Sequence, residues 1–351
     1  MASDMKLVEI EKMGSVVSRL ALGRSVYVIT DTVVPVVGDV VAVRALSESV
    51  TYGNLELPSG RLAKINTGDV LLGALGKRRA LKGFVGEVPE AVKAGDPLHL
   101  LNMGGVIGVC KGHHSSFSDA IEVEVIGVAC DGNGLVTNIG DGALVPADRL
   151  TTSAPLIMIA GTCMNSGKTV AATEIIKQAA KGGLRVAAAK LSGIACLRDT
   201  LHMQDNGAIA TASFLDCGLP STVDNDDLAS VAKAIINHLN FFEPDLIVVE
   251  LGDGIVGGYS VDSVLQDAEI KGAISSFIFC ASDYVGVIGG AAVMDKFGIE
   301  INVVAGSVTD SQMGEDYIKE HFGFPAGNAR RDGAKLFELV QNAGRLAEVA
   351  A

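Results

Sequence analysis

The spacing of apolar and polar positions changes character once along the chain. Over the first 150 residues, short β-branched runs recur at 25–30, 39–44, 50–57, 106–110 and 121–128. Turn-forming stretches separate them, among them Val37-Gly38-Asp39, Pro58-Ser59-Gly60, Thr67-Gly68-Asp69 and Asp131-Gly132-Asn133-Gly134. Many short strands punctuated in this way predict a small barrel or sandwich. Beyond Arg149 apolar strands alternate with helical spacing. A strand at 156–160 is followed by a helix at 168–181 with Val170, Ala171, Ile175 and Ala179 on one face, and Gly182-Gly183 ends it. Strands follow at 184–191, 246–250, 274–280 and 301–305. Asp224-Asn225-Asp226-Asp227 offers cap chemistry to a helix carrying Leu228, Val231, Ile235 and Leu239. Two more helices fit 315–322 and 332–349. The weakly charged stretch 273–294 reads as a buried strand followed by a Gly-rich turn, in preference to a membrane span. Strand–helix alternation implies right-handed crossovers and a parallel sheet covered on both faces.

Composition narrows the function. The chain has 351 residues, 48% hydrophobic and 20% charged, which excludes a mostly disordered protein. It has no Trp and 5% aromatic residues, which argues against a stacked-base platform. The net charge is −13; the first 150 residues carry 14 basic and 17 acidic side chains, the remainder 14 and 24. Neither half is a basic surface for nucleic acid, so no nucleic-acid partner is expected. Lys77-Arg78-Arg79 reads as a solvated surface run. The six cysteines contain no CxxC pair and read as free thiols of a reducing compartment. The N-terminal MASDMKLVEIEKM lacks the basic flank and apolar run of a secretory leader. A cytoplasmic protein with no membrane partner is expected. Cys110, His113 and His114 lie together in a polar loop, which reads as surface in preference to a metal site.

The most specific chemistry lies between the strand at 156–160 and the helix at 168–181. Residues Gly161, Thr162, Cys163, Met164, Asn165, Ser166, Gly167, Lys168, Thr169 and Val170 form a strand–loop–helix phosphate motif. Successive N–H groups at such a loop make an anion nest, and Gly167 lets the backbone approach closely. Lys168 is placed to reach the outer phosphates and the Thr169 hydroxyl to ligate Mg²⁺. Cys163, with no base beside it in sequence, reads as packing. Glu250 ends a strand, which puts it at the carboxyl edge of the sheet beside the loop, and Asp253 shares its segment. Lys190 ends another strand. Asp199 and Asp205 follow it, Asp205 at a turn before Asn206-Gly207. The expected fold class is therefore α/β: a C-terminal parallel-sheet P-loop NTPase domain (151–351) preceded by a β-rich N-terminal domain (1–150).

The Gly-Thr start four residues ahead of Gly-Lys-Thr resembles the loop of dethiobiotin synthetase and its relatives, which include the cobyrinic acid a,c-diamide synthetases. In that family the strand after the first helix ends in a site-facing Lys. Lys190-Leu191-Ser192-Gly193 stands at that place, with Leu191 where the family usually has Pro. The family's Mg²⁺-binding Asp corresponds best to Asp205, and its strand-ending Glu before a Gly-rich loop to Glu250. The resemblance covers roughly 155–330 and nothing before it. It implies an ATP- and Mg²⁺-dependent synthetase that activates a carboxylate or carbamate on a small-molecule acceptor by phosphoryl transfer. Lys168 and Lys190 would be catalytic, and Thr169, Asp205 and Glu250 would hold metal. Two other readings remain open at this point: a small-molecule or polynucleotide kinase, and a nucleotide-gated binding or delivery module. The loop at 305–310 has the place of a base-reading segment, and the absence of an Asn/Thr-Lys-x-Asp element favours ATP over GTP. The first domain could present the acceptor, close over the site or build a homodimer.

Overall fold

The computed structural model describes residues 5–343. The end of the helix expected at 332–349, and the first four residues of the N-terminal segment, lie outside them. The chain divides into two compact units. The first is Met1–Leu144 with Ile194–Arg198 and Phe214–Val223; the second is Val145–Gly193, Asp199–Ser213 and Asp224–Ala351.

In the first unit the strand Glu122–Cys130 pairs antiparallel with Val40–Ala45, which pairs antiparallel with Val70–Leu75. Val70–Leu75 runs parallel to Val106–His113, and Pro97–Leu100 pairs with both Val106–His113 and Glu122–Cys130. The pairing closes on itself, so the unit is built on a five-stranded barrel. Val41, Val43, Leu71, Leu75, Leu98, Leu100, Val123 and Val125 lie in its core. The strand expected at 50–57 forms only over Asn54–Glu56, because Tyr52 turns into the left-handed region at φ 56°. Val70–Leu75 escaped the sequence reading: nearly every residue in it is buried, so no alternation marks it. Lys77-Arg78-Arg79 is not a solvated run. Arg78 is 2% exposed and donates to the Leu101 carbonyl and, over 2.7 Å, to the Tyr52 hydroxyl; Arg79 pairs with Glu87. The weakly hydrated guanidinium tolerates that setting, with its carbon 4.8 Å from the Tyr52 ring centre.

In the second unit six strands, β1 (Leu156–Gly161), β2 (Val186–Lys190), β3 (Ala210–Ser213), β4 (Leu246–Glu250), β5 (Ile274–Cys280) and β6 (Val303–Ala305), form one parallel sheet in the order β3-β2-β4-β1-β5-β6. The helices are α1 (Lys168–Lys181), α2 (Arg198–Asp205), α3 (Leu228–Asn240), α4 (Val261–Gln266), α5 (Ala268–Ala273), α6 (Tyr284–Phe297), α7 (Gln312–Tyr317) and α8 (Gly333–Ala343). Ile175 and Ile176 of α1 and Leu336 and Val340 of α8 share a core with Ile157, Val248, Ile278 and Val303 of the sheet. The strand at 274–280 is where the pattern put it, but the Gly-rich segment after it is a helix, α6, and not a turn. Its start is capped by Asp283, whose carboxylate accepts from Gly286 N at 2.7 Å. Its Gly290 lies so close to Phe279 that a Cβ there would sit 2.1 Å from the ring. The glycine serves helix–sheet packing. No helix among the described residues is long and apolar enough to cross a membrane.

Candidate functional site

β1 delivers the chain to the carboxyl edge of the sheet at Gly161, and α1 begins at Lys168. The loop between them turns through Asn165, at φ 64°, and Gly167, at φ 102°. A Cβ on Gly167 would also lie 2.9 Å from Gly306 Cα, so glycine is demanded twice there. The first N–H groups of a helix have no intrahelical acceptor. Gly167 is the N-cap of α1 and brings no side-chain acceptor, and the first turn of α1 holds no acidic residue. Together with the helix dipole, this leaves the mouth of the loop attractive to an anion.

Three of the sequence-chosen side chains meet there. Glu250, at the end of β4, is 1% exposed and lies in register with Ile159 of β1 and Lys190 of β2. Its Oε1 accepts from the Thr169 hydroxyl at 2.9 Å and from Lys190 Nζ at 2.7 Å. Its Oε2 is buried with no hydrogen-bond partner among the described residues, as is the Ser166 hydroxyl in the loop. Lys190 also contacts Asp199 Oδ2 at 2.7 Å. Burial opposes its charge, but Asp199 and Glu250 outweigh that, and the ammonium titrates above the ordinary lysine range. Lys168 is 5% exposed and donates to the Cys163 carbonyl at 2.8 Å. Burial lowers its pKa, and the nearby charge of Lys190 adds to this; Glu250 and Asp253 pull the other way. Burial also pushes the Cys280 thiol up to about 12.

Asp205 is not part of this group. α2 begins at Arg198, so Asp199 lies in its first turn, whereas Asp205 is exposed at its last residue, about 9 Å further along the axis. The acid beside Lys190 is Asp199, whereas the sequence reading had favoured Asp205. Cys163 is half-buried, with Sγ 3.5 Å from Ser282 Oγ and 3.7 Å from Thr162 Oγ1. His113 pairs with Asp119 at 3.0 Å on an exposed loop of the first unit. No group of three or more His, Cys, Asp or Glu suited to a metal occurs among the described residues.

The donor set at Glu250 can be tested against a divalent cation. It consists of hard oxygens only, the Thr169 hydroxyl and a carboxylate with one oxygen unsatisfied. That suits Mg²⁺, which takes one or two carboxylates and fills its shell with water and phosphate oxygens. Beside the loop lies a small, open cleft lined by Asn165, Gly167, Val170, Ser307, Asp310 and Asn328 among others. Asn328 was not foreseen. It is buried and fully engaged: its amide nitrogen donates to Thr309 Oγ1 and Asp310 Oδ1, and its oxygen accepts from the N–H groups of Arg330 and Arg331. It fixes the cleft wall and orients Asp310.

A strand–Gly-Lys-Thr loop–helix unit at the edge of a parallel sheet, with an acidic strand end beside it, defines a P-loop NTPase fold. Comparison with known proteins adds no family: no family profile and no curated protein matches the chain. Solved structures overlap part of it. The cell division protein FtsY of Thermotoga maritima is 16% identical, covering 57% of this chain and 74% of that one, with a TM-score of 0.38. A DUF1611-family protein from Anabaena variabilis is 12% identical, covering 57% and 63%, with a TM-score of 0.41. The signal recognition particle 54 kDa protein of Aeropyrum pernix, solved with GDP, is 14% identical, covering 60% and 51%, with a TM-score of 0.37.

Proposed function

We propose that the second unit binds Mg²⁺·ATP at the loop and transfers the γ-phosphoryl group to a carboxylate, or to a carbamate, of a small-molecule acceptor. The observation that carries this reading is Glu250: a buried carboxylate at a strand end, beside Thr169 and Lys190, with one oxygen lacking any partner. The likeness of the loop and strand ends to the dethiobiotin synthetase group supports the synthetase form. Thr169 and Glu250 would hold Mg²⁺, which when bound supplies charge neutralisation at the outer phosphates. Lys168 leaves the Cys163 carbonyl for the phosphates, a stronger, charge-assisted partner. The N–H groups of the loop and of the α1 start orient the polyphosphate. The cleft at Asp310 and Asn328 takes the base. Lys190, kept protonated by Asp199 and Glu250, acts as a fixed positive charge that draws in the acceptor carboxylate and does not serve as a base. The acceptor oxygen attacks the γ-phosphorus, the bridge to the β-phosphate breaks, and an amine then displaces phosphate from the mixed anhydride.

The test is a screen of small carboxylic acids and amines for stimulation of ATP consumption, with all products identified. The synthetase reading expects ADP and free phosphate in equal amounts and an acceptor that gains a new bond to nitrogen. A phosphorylated acceptor as the final product would replace it with a kinase.

A further inference from the structure

The cleft beside the phosphate loop is lined in part by small and apolar groups. The first turn of α1 contributes Val170, the segment after β6 contributes Gly306, and the segment before α8 contributes Ala329. The loops that form it are locked together: Ser307 N donates to Ser166 O at 3.2 Å, and a Cβ on Gly306 would lie 2.2 Å from that same oxygen. A planar ring therefore finds a preformed surface of small residues. Among the described residues no aromatic side chain lines the cleft, and the cation in its wall is Arg330. Arg330 differs from its neighbour. Asn328 Oδ1 accepts from the N–H groups of both Arg330 and Arg331, at 2.9 Å each, which fixes where the two side chains leave the backbone. Arg331 is committed: its guanidinium pairs with the buried Glu315, which Lys335 also reaches at 3.3 Å. Arg330 is exposed at the rim of the cleft, and its guanidinium makes no hydrogen bond or ion pair among the described residues. A solvated arginine is ordinary on a surface. One anchored by a buried asparagine, at the lip of a cleft that has no aromatic ring, is placed to act as its stacking group.

We propose that the Arg330 guanidinium lies over the face of the nucleotide's purine ring, so that the cleft selects purine over pyrimidine nucleotides. This rests on the nucleotide reading above, which puts the base in this cleft and gives Arg330 no role. A guanidinium is planar and weakly hydrated, and it stacks on π faces in a way the compact ammonium of lysine does not. A purine, with two fused rings, offers the larger face both to the guanidinium and to the small residues beneath it, and stacking strength is what sets preference at such sites. Lys168 and the N–H groups of the α1 start already serve the phosphates, which leaves the base as the partner of Arg330.

The test measures by calorimetry the binding of three ligands with Mg²⁺: a non-hydrolysable ATP analogue, the matching CTP analogue, and inorganic tripolyphosphate, which has the phosphates without the base. Wild-type protein is compared with Arg330→Ala and Arg330→Lys. Arg330 is exposed and Asn328 holds only its backbone, so both variants keep the fold, which thermal melts check. Wild type should bind the ATP analogue more tightly than either other ligand. Arg330→Ala should weaken the ATP analogue about 3- to 30-fold, the span of a cation–π contact. It should also narrow the lead over the CTP analogue and leave tripolyphosphate binding unchanged. Arg330→Lys should fall between wild type and Arg330→Ala. Unchanged binding of the ATP analogue in Arg330→Ala overturns the proposal. So does an equal loss for tripolyphosphate, which would make Arg330 a phosphate contact, and so does full retention in Arg330→Lys, which would leave charge without stacking. Wild-type protein that binds tripolyphosphate as tightly as the ATP analogue overturns it too, while leaving the phosphate loop intact. Failure of wild-type protein to bind any of the three would instead bring down the nucleotide reading, and this proposal with it.

Discussion

Glu56 of the first unit and Glu250 of the second are both buried to 1% exposure, and the two are treated oppositely. Glu56, in the first unit, is satisfied on both oxygens: Oε2 accepts from the Ser15 hydroxyl and from Leu197 N at 2.7 Å, and Oε1 from the Cys196 thiol at 3.1 Å. All of these donors are neutral, and the carboxylate ties chain segments together. Glu250 gives one oxygen to Thr169 and Lys190 and leaves the other without a hydrogen-bond partner among the described residues. An unsatisfied buried carboxylate oxygen is costly, so a fold retains one where something else completes it. The comparison separates a carboxylate used for architecture from one held ready for a ligand, although sequence position and burial alone make them look alike.

The largest expected effect is at the lysine that answers the ligand side of this contrast. Lys168→Ala should reduce nucleotide turnover to background and weaken binding by roughly 1.5–3 kcal/mol, the worth of a hydrogen bond to a charged group, or about ten- to hundredfold. The fold should survive. Calorimetry with Mg²⁺·ATP and a thermal melt check both halves; normal ATP consumption in this variant would sink the phosphate-loop reading.

The glutamates themselves come next, and they should exchange roles when mutated. Glu56→Leu orphans the Ser15 hydroxyl and the Leu197 N–H, and should cost about 2–4 kcal/mol in a urea unfolding curve. Its remaining folded molecules should bind nucleotide normally. Glu250→Gln keeps an oxygen for Thr169, leaves Lys190 its Asp199 partner and removes the unsatisfied charge. Its stability should stay within about 1 kcal/mol of wild type, while the Mg²⁺-dependent part of nucleotide affinity is lost. If both variants lose stability alike and Mg²⁺ dependence persists in Glu250→Gln, the contrast fails.

The pH dependence sharpens the same picture. The Lys168 pKa lies below its ordinary 10.5 because of burial, and phosphate binding favours its charged form. Affinity should therefore be full at lower pH and fall as pH rises through that depressed pKa, with proton uptake on binding in the alkaline range. Lys190 titrates above the ordinary range and does not contribute to this fall. Calorimetry at several alkaline pH values checks it. Lys168→Arg should flatten the dependence, since a guanidinium keeps its charge throughout.

Much of this site was legible in the chain. The Gly-Lys-Thr segment between a strand and a helix announced itself, because the chemistry needs particular residues at fixed spacing. Glu250 and Lys190 were readable as polar ends of apolar strands, which period and position alone reveal. The unsatisfied oxygen of Glu250 was not readable, since it depends on what the end of β2 and the start of α1 bring within 3 Å of the carboxylate. Asn328 gave no signal, because its role is to hold backbone N–H groups from its own loop. The parallel sheet followed from alternation, but α6 did not: its glycines resemble a turn until Phe279 is placed against Gly290. In the first unit, Val70–Leu75 was missed because burial on both faces erases the period-two pattern.

The smallest expected effect tests Asp199, the acid beside Lys190, against Asp205, the acid the sequence favoured. Asp199 sits 2.7 Å from Lys190, while Asp205 is exposed at the far end of the same helix. Asp199→Asn keeps a hydrogen-bond acceptor but removes one of the two negative charges on Lys190. The pKa of Lys190 should fall toward the ordinary value, and turnover should drop a few-fold, since Glu250 still holds the ammonium in place. Each tenfold in rate is about 1.4 kcal/mol, so a shift of well under that amount is expected. Asp205→Asn should change neither, because a solvated carboxylate at a helix end contributes little to a group so far from it. Steady-state rates of the two variants, measured side by side at saturating nucleotide, read the difference. A larger loss from Asp205→Asn than from Asp199→Asn would mean that α2 is placed differently in the working protein, and would return the metal assignment to the acid at its end.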